Sequence, residues 1–436
     1  MLNQLFYTDN FRDIYDKENR KGINLDSLFC SFNKIKELTE KIKKKTKEKK
    51  ENEKEKRKLI IEEIKKLKNE KNTLLKEKLN EISDNIAKNK NILNIVRGKN
   101  FKGKNTFQLE NIPENFFISK QIQYNLKKVF KIQQSSKNDI LAQLFPILND
   151  ELPKYIIRTD IQHFYESIPQ NAVIQKIKNN ELLSTTSKNF IKRILYKYRE
   201  LTNNTMGLPR GIGISAYLAE IYLRQLDEQI LKQKNLIYYA RYVDDIIIVF
   251  AKTSSKKIED IWSDVETAIT DKSLNPNIEK TIKIDTTEQN PPSFYFLGYD
   301  ISLQPSHITF SFPKEKMTKY EQKIQKAFEI YKQAINKRGS AKDLYDRILF
   351  LASNTKFLNN KNNVIIGIYY SNLFLNNLNG LDYLDVFLKS KINDIENTKL
   401  KKSLCNISFK DGFKKRLFRK YSTAQFIKIT KIWRDL

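Results

Sequence analysis

Three aspartates border strongly apolar runs, and their placement is the clearest chemical feature of the sequence. Asp160 ends the run YIIRTD, and the adjacent Asp244 and Asp245 precede the run IIIVF. Neighbouring carboxylates repel each other and are costly to bury unpaired, so a divalent cation would offset that cost. Magnesium prefers oxygen ligands and keeps coordination positions open for phosphate and water. The pattern therefore predicts a magnesium site at Asp160, Asp244 and Asp245.

The chemistry expected of such a site is phosphoryl transfer. Two magnesium ions about 3.5–4 Å apart stabilise both the attacking and the leaving oxygen of an in-line displacement at phosphorus. Carboxylates from two separate strands can share both ions, and we expect Asp160 and Asp244 to do so. Asp245 is expected to shape the site and to tune its charge.

The adjacent aspartates belong to the string YVDD at 242–245, and three further strings accompany the aspartates in a fixed order along the chain. They are GLPRG at 207–211, LNPNIEKT at 274–281 and FLGY at 296–299. YVDD alone is a common string, but the order of the whole set over about residues 155–300 is specific. The set resembles the catalytic palm of reverse transcriptases.

This resemblance implies roles for residues that their types alone do not assign. The implied nucleotide-binding residues are Lys131, Lys137, Ile161, Tyr165, Arg210 and Gly211, the implied primer grip is Phe296, Leu297 and Gly298, and the implied additional catalytic residue is Lys280. The resemblance also implies two magnesium ions per active site, an RNA template, dNTP substrates and a DNA product.

Tyr165 resembles the steric gate of that family. A ring packed under the sugar leaves no room for a 2′-hydroxyl, so the resemblance predicts a preference for dNTPs. The alternative is an ordinary aromatic residue between a strand and a helix. Its neighbour Phe164 is predicted to belong to the core.

Several of these implied roles leave alternatives open. Lys280 could protonate the pyrophosphate leaving group, or it could be a solvated lysine at the start of a strand. Lys131 and Lys137 are candidates for binding the triphosphate, but they resemble many other surface lysines. Arg210 departs from the glutamine common here in retroviral enzymes, which leaves its contacts open. Gly211 would let the backbone approach the incoming base pair, where a Cβ would collide.

The chain carries a large positive excess. Its 80 Lys and Arg against 51 Asp and Glu give a net charge of +29, which favours a polyanionic partner such as nucleic acid. An AT-rich genome also enriches lysine, although it would raise glutamate as well. Residues 34–104 hold 25 basic and 12 acidic residues, a net charge of +13. We predict that they bind a structured RNA through its phosphates; the alternative is a solvated lysine-rich spacer.

Apolar spacing predicts the elements that position these residues. Between Ile60 and Ile86 the spacing is roughly helical, which predicts amphipathic helix, folded into a hairpin that breaks near residues 50–56. The other expected elements are β-structure at 105–120, helices at 121–130 and 137–148, a short strand at 131–134, palm strands at 155–161 and around 243–244, and helices from 314 to the end.

The expected fold class is α+β, a right-hand polymerase with fingers, palm and thumb, a helical lysine-rich N-terminal extension and an α-helical C-terminal region. Three segments are predicted. Residues 1–104 form an N-terminal segment with a basic helical hairpin, residues 105–313 form the fingers and palm, and residues 314–436 form an α-helical thumb and a basic C-terminal region.

Strings outside the palm motifs resemble bacterial defence-associated reverse transcriptases. They include NFR at 10–12, ENRKG at 18–22, RTDI at 158–161 and FYESI at 164–168. The likeness is greatest to the smaller reverse transcriptase of type-three, two-polymerase antiviral systems. It implies a role in phage defence, a non-coding RNA as template or scaffold, and a second reverse-transcriptase subunit or a homo-oligomer.

Three other functions stay open at this point. A retron or intron-type reverse transcriptase would share the palm motifs. A catalytically silent palm that binds RNA as a scaffold is possible, but three clustered carboxylates argue against it. An RNA-dependent RNA polymerase shares the palm, but Tyr165 disfavours it because such enzymes must accommodate the 2′-hydroxyl.

Cysteine content and hydropathy exclude other classes of protein. Cys30 and Cys405 are the only cysteines and only two histidines are present, so we expect neither a disulfide framework nor a structural zinc site. No run approaches the ~18 apolar residues that a membrane span requires. The N-terminal residues lack the layout of a signal peptide. We therefore expect a cytoplasmic bacterial protein with no membrane partner.

Overall fold

A computed structural model describes most of the chain. The described residues are 3–51, 54–88, 92–101, 103–133, 135–289, 291–304, 307–359 and 362–433. Within them, none of the helices is long and apolar enough to span a bilayer.

Helices dominate the described residues. In chain order they are α1 (Thr8–Arg20), α2 (Leu25–Leu28), α3 (Asn33–Glu51), α4 (Lys54–Ala87), α5 (Pro113–Val129), α6 (Lys137–Asn149), α7 (Phe164–Ser167), α8 (Gln170–Lys178), α9 (Thr185–Thr202), α10 (Ile214–Leu231), α11 (Ile258–Thr270), α12 (Lys314–Gln333), α13 (Ser340–Ala352), α14 (Asn379–Asn393), α15 (Thr398–Cys405), α16 (Phe409–Lys414) and α17 (Thr423–Thr430).

The strands in the described part of the chain form four small sheets. In chain order they are β1 (Ile95–Arg97), β2 (Phe107–Leu109), β3 (Lys154–Asp160), β4 (Leu236–Tyr242), β5 (Asp245–Ala251), β6 (Ile282–Asp285), β7 (Phe294–Phe296), β8 (Tyr299–Gln304), β9 (His307–Ser311), β10 (Asn354–Asn359), β11 (Asn362–Gly367) and β12 (Phe418–Arg419). Their orders are β1-β2, β4-β5-β3-β6, β7-β8-β9 and β11-β10-β12.

The chain divides into two compact units, each made of three separate segments. Unit 1 comprises 1–134, 161–230 and 267–276, and unit 2 comprises 135–160, 231–266 and 277–436. This division reflects compactness alone. The three segments expected from the sequence are functional divisions that it does not test, and they stay predictions.

Unit 1 contains the predicted helical hairpin. Helices α3 and α4 pack against each other, and the Lys45 ammonium lies 2.8 Å from the Glu63 carboxylate between them. The apolar stripe of α4 is buried, as at Leu75, Leu79 and Ile82. The predicted hairpin is therefore confirmed, although residues 52 and 53 at its expected break lie outside the described residues.

Unit 2 contains a four-stranded antiparallel sheet with β3 beside β5 and β6. Every residue of β3 is buried, including the polar ones. Its β-branched residues fit a pleated, packed surface, and the partner strand β5 is buried at Ile246–Phe250. The predicted palm strands are thus confirmed, and the sheet presents the ends of β3 and β5 side by side.

The observed elements differ from the expected ones in three places. Helix α5 begins at Pro113, a residue favoured at the first helical position, so the expected β-structure over 105–120 is limited to β2. The expected strand at 131–134 is absent from its described residues, 131–133. The C-terminal region is mainly helical, but the sheet β11-β10-β12 interrupts it.

Candidate active site

Strand pairing brings the predicted aspartates of unit 2 together. Asp160 is the last residue of β3 and lies directly opposite Asp245, the first residue of β5. Asp244 occupies the two-residue turn that joins β4 to β5. The carboxylates that are 84 positions apart in the sequence therefore meet at one end of one sheet, as the sequence predicted for a shared site.

The turn before Asp244 has an uncommon backbone conformation. Val243 has a φ of 63°, in the left-handed region that β-branched residues rarely occupy because of steric crowding at Cβ. Such conformations cluster at functional sites and persist only where the surrounding structure enforces them. Here the flanking pair Tyr242 and Asp245 is locked in register across the hairpin.

The two carboxylate oxygens of Asp160 have different environments. Oδ2 accepts a hydrogen bond from the Lys280 ammonium at 2.7 Å, whereas Oδ1 is buried and has no hydrogen-bond partner among the residues that the structure describes. The Asn277 amide N–H donates to the Asp160 carbonyl at 2.8 Å, and the Asn277 Oδ1 is likewise buried without a partner. An orphaned buried oxygen is normally satisfied by an ion or a water.

Arg158 supports the third carboxylate. Its guanidinium donates to Asp245 Oδ1 at 2.5 Å and to the Lys280 carbonyl at 3.1 Å. Burial raises the pKa of Asp245; Arg158 opposes that effect, while the charges of Asp244 and Asp160 add to it. The sheet end therefore concentrates more negative charge than the buried Arg158 compensates.

The residues present fit a magnesium site. Their oxygen donors suit a hard cation, and a cation would both satisfy Asp160 Oδ1 and offset the repulsion at Asp245. Within the described residues, no three His, Cys, Asp or Glu side chains are already arranged around a common point. Lys280 and Arg158 each hold one carboxylate oxygen of the site in an ion pair.

The predicted nucleotide-binding residues Ile161, Tyr165, Arg210 and Gly211 all belong to unit 1. Ile161 is buried and forms an isolated β-bridge with Pro276. The Arg210 guanidinium lies 5.0 Å from the centre of the Tyr165 ring. The structure thus places Arg210 against the predicted steric gate.

Glu166 is a member of this cluster that the sequence did not reveal. It accepts two hydrogen bonds from Arg210, both at 3.0 Å, in the bidentate geometry that favours arginine over lysine. Burial would raise the pKa of Glu166, but the hydrogen bond from Arg210, a backbone hydrogen bond and the charges of Arg210 and Lys104 together lower it. In the sequence, Arg210 was the residue that could have indicated such a partner, because a planar guanidinium favours bidentate pairing with a carboxylate.

Gly211 has a structural reason to lack a side chain. Its φ is 100°, and a Cβ there would lie 2.7 Å from the Phe107 carbonyl oxygen. The Phe107 amide also donates to the Arg210 carbonyl at 2.7 Å. Close approach of β2 therefore requires this glycine, whereas its expected approach to a base pair stays a prediction.

The two lysines predicted to bind the triphosphate lie in different units. Lys131 belongs to unit 1, is exposed and has a φ of 49°. Lys137 belongs to unit 2, at the start of α6, where the Ser136 side chain caps the helix by accepting from the Asp139 amide. The structure therefore does not bring the two together within one unit.

The predicted primer grip is a tight hairpin in unit 2. Leu297 and Gly298, with φ of 45° and 88°, form the turn between β7 and β8. Phe296 is fully buried and anchors the hairpin in the core. Burial raises the pKa of Tyr295, and the charge of Asp245 adds to this. The hairpin thus lies within electrostatic range of the carboxylates.

Comparison with protein families agrees with this geometry. Residues 110–301 match the family described as reverse transcriptase (RNA-dependent DNA polymerase). This range includes every site residue predicted from the sequence. The match supports a reverse-transcriptase assignment for this part of the chain and, with the mixed helices and strands, confirms the expected α+β right-hand polymerase fold class.

Solved structures give weaker similarities. Apo telomerase from Candida tropicalis is 15% identical over 81% of this chain and 65% of that chain, with a TM-score of 0.36. Telomerase from Candida albicans in complex with a TWJ fragment of telomeric RNA is 12% identical over 80% and 60%, also with a TM-score of 0.36. The chain thus spans less than two thirds of each, and these scores add no argument to the family match. No curated protein matches the sequence.

Proposed function

We propose that this protein is an RNA-directed DNA polymerase that adds dNTPs to a primer 3′-hydroxyl by two-metal phosphoryl transfer. The observation that carries the proposal is the meeting of Asp160, Asp244 and Asp245 at the end of one sheet, within a range that matches the reverse-transcriptase family. The buried Oδ1 of Asp160, which has no hydrogen-bond partner in the described part of the chain, supports a cation at this position.

Each side chain of the site has a separate role in the proposed reaction. Asp160 and Asp244 would hold two magnesium ions, and Arg158 fixes Asp245 beside them through its 2.5 Å hydrogen bond. When bound, the ions would lower the pKa of the primer hydroxyl and neutralise charge on the triphosphate. Lys280 already lies 2.7 Å from Asp160, at the edge of the site, where its ammonium can donate a proton to the leaving pyrophosphate.

Primer extension by the purified chain tests this function. We expect a DNA primer annealed to an RNA template to be extended with dNTPs when Mg²⁺ is present and not when EDTA is added. A protein that binds the duplex tightly but extends no primer on any template would contradict the proposal. That result would instead favour the RNA-binding scaffold.

We further propose that the hairpin of α3 and α4 binds structured RNA through phosphates. Lys43, Lys47 and Lys58 are exposed on it, whereas Lys45 is engaged with Glu48 and Glu63. Exposed lysines that neutralise phosphates displace counterions from the nucleic acid, so affinity should fall steeply with salt. The proposal that the hairpin binds RNA rests on these lysines and does not depend on the three carboxylates.

Charge reversal in the hairpin tests its role. Replacing Lys43, Lys47 and Lys58 with glutamate should weaken binding of a structured RNA and flatten the slope of log Kd against log salt by about 0.7–0.9 per lost contact. Melting temperature should stay unchanged, because all three side chains are exposed. Reversing three exposed thumb lysines, Lys319, Lys389 and Lys399, is the matched control. Equal affinity and slope in the hairpin variant would leave the spacer interpretation standing.

The biological setting we propose is bacterial antiphage defence, with a non-coding RNA and a second reverse-transcriptase subunit or a second copy of this chain. Its support is the resemblance of the strings at 10–12, 18–22 and 164–168. Sequencing the nucleic acid that copurifies with the protein should recover one predominant non-coding RNA. A mixture of cellular RNAs, together with unchanged phage plating when Asp160 is replaced, would refute this setting.

A further inference from the structure

Two lysines of unit 2 converge on one aromatic ring. The Lys137 ammonium, at the start of α6, lies 5.5 Å from the centre of the Tyr299 ring, and the Lys316 ammonium, in the first turn of α12, lies 5.4 Å from it. Tyr299 is buried at the start of β8, directly after the turn of Leu297 and Gly298. Both ammonium groups therefore lie beside the same buried aromatic ring.

Among the described residues, this pair of lysines has no carboxylate partner. Within the part of the chain that the structure describes, neither lysine forms an ion pair, and the Lys316 ammonium donates to the buried Asn372 side-chain oxygen. Burial lowers the pKa of Lys137, and it lowers that of Lys316 to about 8, where the charge of Lys137 adds to the effect. A half-buried pair of like charges is costly unless an anion joins it.

The pair lies against the predicted primer grip. A Cβ added to Gly298 would come 2.6 Å from the Lys137 ammonium, so the glycine leaves the space that this ammonium occupies. The positive φ of Leu297 and Gly298 makes the turn tight and brings its backbone to the lysine. The Lys137 ammonium therefore lies beside the hairpin that is expected to hold the primer strand, and the Lys316 ammonium lies 5.4 Å from the centre of the Tyr299 ring.

We propose that Lys137 and Lys316 form a binding site for one backbone phosphodiester of the primer strand. This inference rests on the proposed polymerase function and assigns Lys137 to the primer, not to the dNTP triphosphate. A phosphodiester supplies the missing negative charge with two acceptor oxygens, one for each ammonium. The Tyr299 ring stabilises both cations through cation–π contacts.

A primer with single methylphosphonate linkages tests the site directly. Each such linkage removes one backbone charge, and duplex binding is measured by fluorescence anisotropy without dNTPs. For the unaltered protein, we expect one linkage near the primer 3′ end to raise Kd about tenfold, as expected for a lost charged hydrogen bond. The double variant Lys137→Gln/Lys316→Gln should bind the unmodified primer about tenfold more weakly and should lose sensitivity at that linkage. An unchanged methylphosphonate profile in the variant would overturn the proposal.

Three further readouts separate the alternatives. The melting temperature of the free double variant should not fall, because two uncompensated charges are removed; a fall of several degrees would mean that the lysines hold the fold. The KM for dNTPs should stay unchanged in the double variant. A selective rise in that KM would indicate that Lys137 binds the triphosphate. Lys319→Gln, on the exposed face of α12, is the control and should keep the profile of the unaltered protein. Because binding is measured without catalysis, a failed extension assay would refute the polymerase and not this site.

Discussion

Replacing Asp160 or Asp244 with asparagine should lower nucleotide incorporation by roughly 10³-fold or more. Charge-stabilising groups in phosphoryl transfer contribute about 10³–10⁵ in rate, and asparagine keeps the shape of the side chain while removing its charge. The fold should persist, because the ion pair lost at Asp160 involves Lys280, whose side chain is 58% exposed. Single-nucleotide incorporation and a thermal melt, made on the same preparation, check both expectations.

Asp285 provides a matched control within the same sheet. It pairs opposite Tyr155 on β3 and binds Lys252 at 2.6 Å, about 16 Å along the strand from Asp160. Asp285→Asn should therefore retain incorporation. Substantial Mg²⁺-dependent synthesis by the Asp244→Asn protein would remove the two-metal assignment.

Replacing Tyr165 with alanine should relax discrimination against ribonucleotides by roughly 10- to 100-fold, the range set by filling or emptying a small pocket. The physical reason is the space that opens under the sugar when the ring is removed. Incorporation of a single rNTP and the matching dNTP gives the ratio of kcat/KM values. Tyr196→Ala, an exposed tyrosine of α9 in the same unit, should leave the ratio unchanged.

The contacts of the gate extend this prediction to Arg210 and Glu166. If Arg210 positions Tyr165, Arg210→Lys should relax the same ratio partly, because lysine cannot form the bidentate pair or stack as a plane. Glu166→Gln should have a similar, smaller effect. If Arg210 instead contacts the nucleotide directly, Arg210→Lys would raise the KM for both sugars equally. An unaltered ratio in Tyr165→Ala would make Tyr165 a packing residue.

The carboxylates could be predicted from the sequence because their signal is local. Asp160 ends an apolar run, and Asp244 and Asp245 stand at a turn between two others, so antiparallel pairing of these strands brings them to one sheet end. The family resemblance supplied the order of the remaining motifs. The helical hairpin could likewise be predicted, because its apolar residues recur at helical spacing over a long stretch of sequence.

The partners of these residues could not be predicted from the sequence. Arg158 reaches Asp245 across 87 positions, and Lys280 reaches Asp160 across 120. Lysine is so abundant in this chain that the sequence does not show which residue each lysine contacts, and the assignment of Lys137 to the triphosphate stays a prediction. Its place beside Gly298 follows from tertiary packing.

The strand β3 has a consequence for how the protein is made. Its neighbours β5 and β6 are encoded well downstream: Arg158 on β3 is 87 positions before Asp245, the first residue of β5, and β6 begins later still, at Ile282. At about 10 residues per second, the ribosome delivers β5 roughly 9 s after β3. During that interval a strand that is buried at every position has neither partner, and such unpaired edges promote aggregation. We therefore expect the nascent chain to depend on chaperones until the region of β6 has emerged.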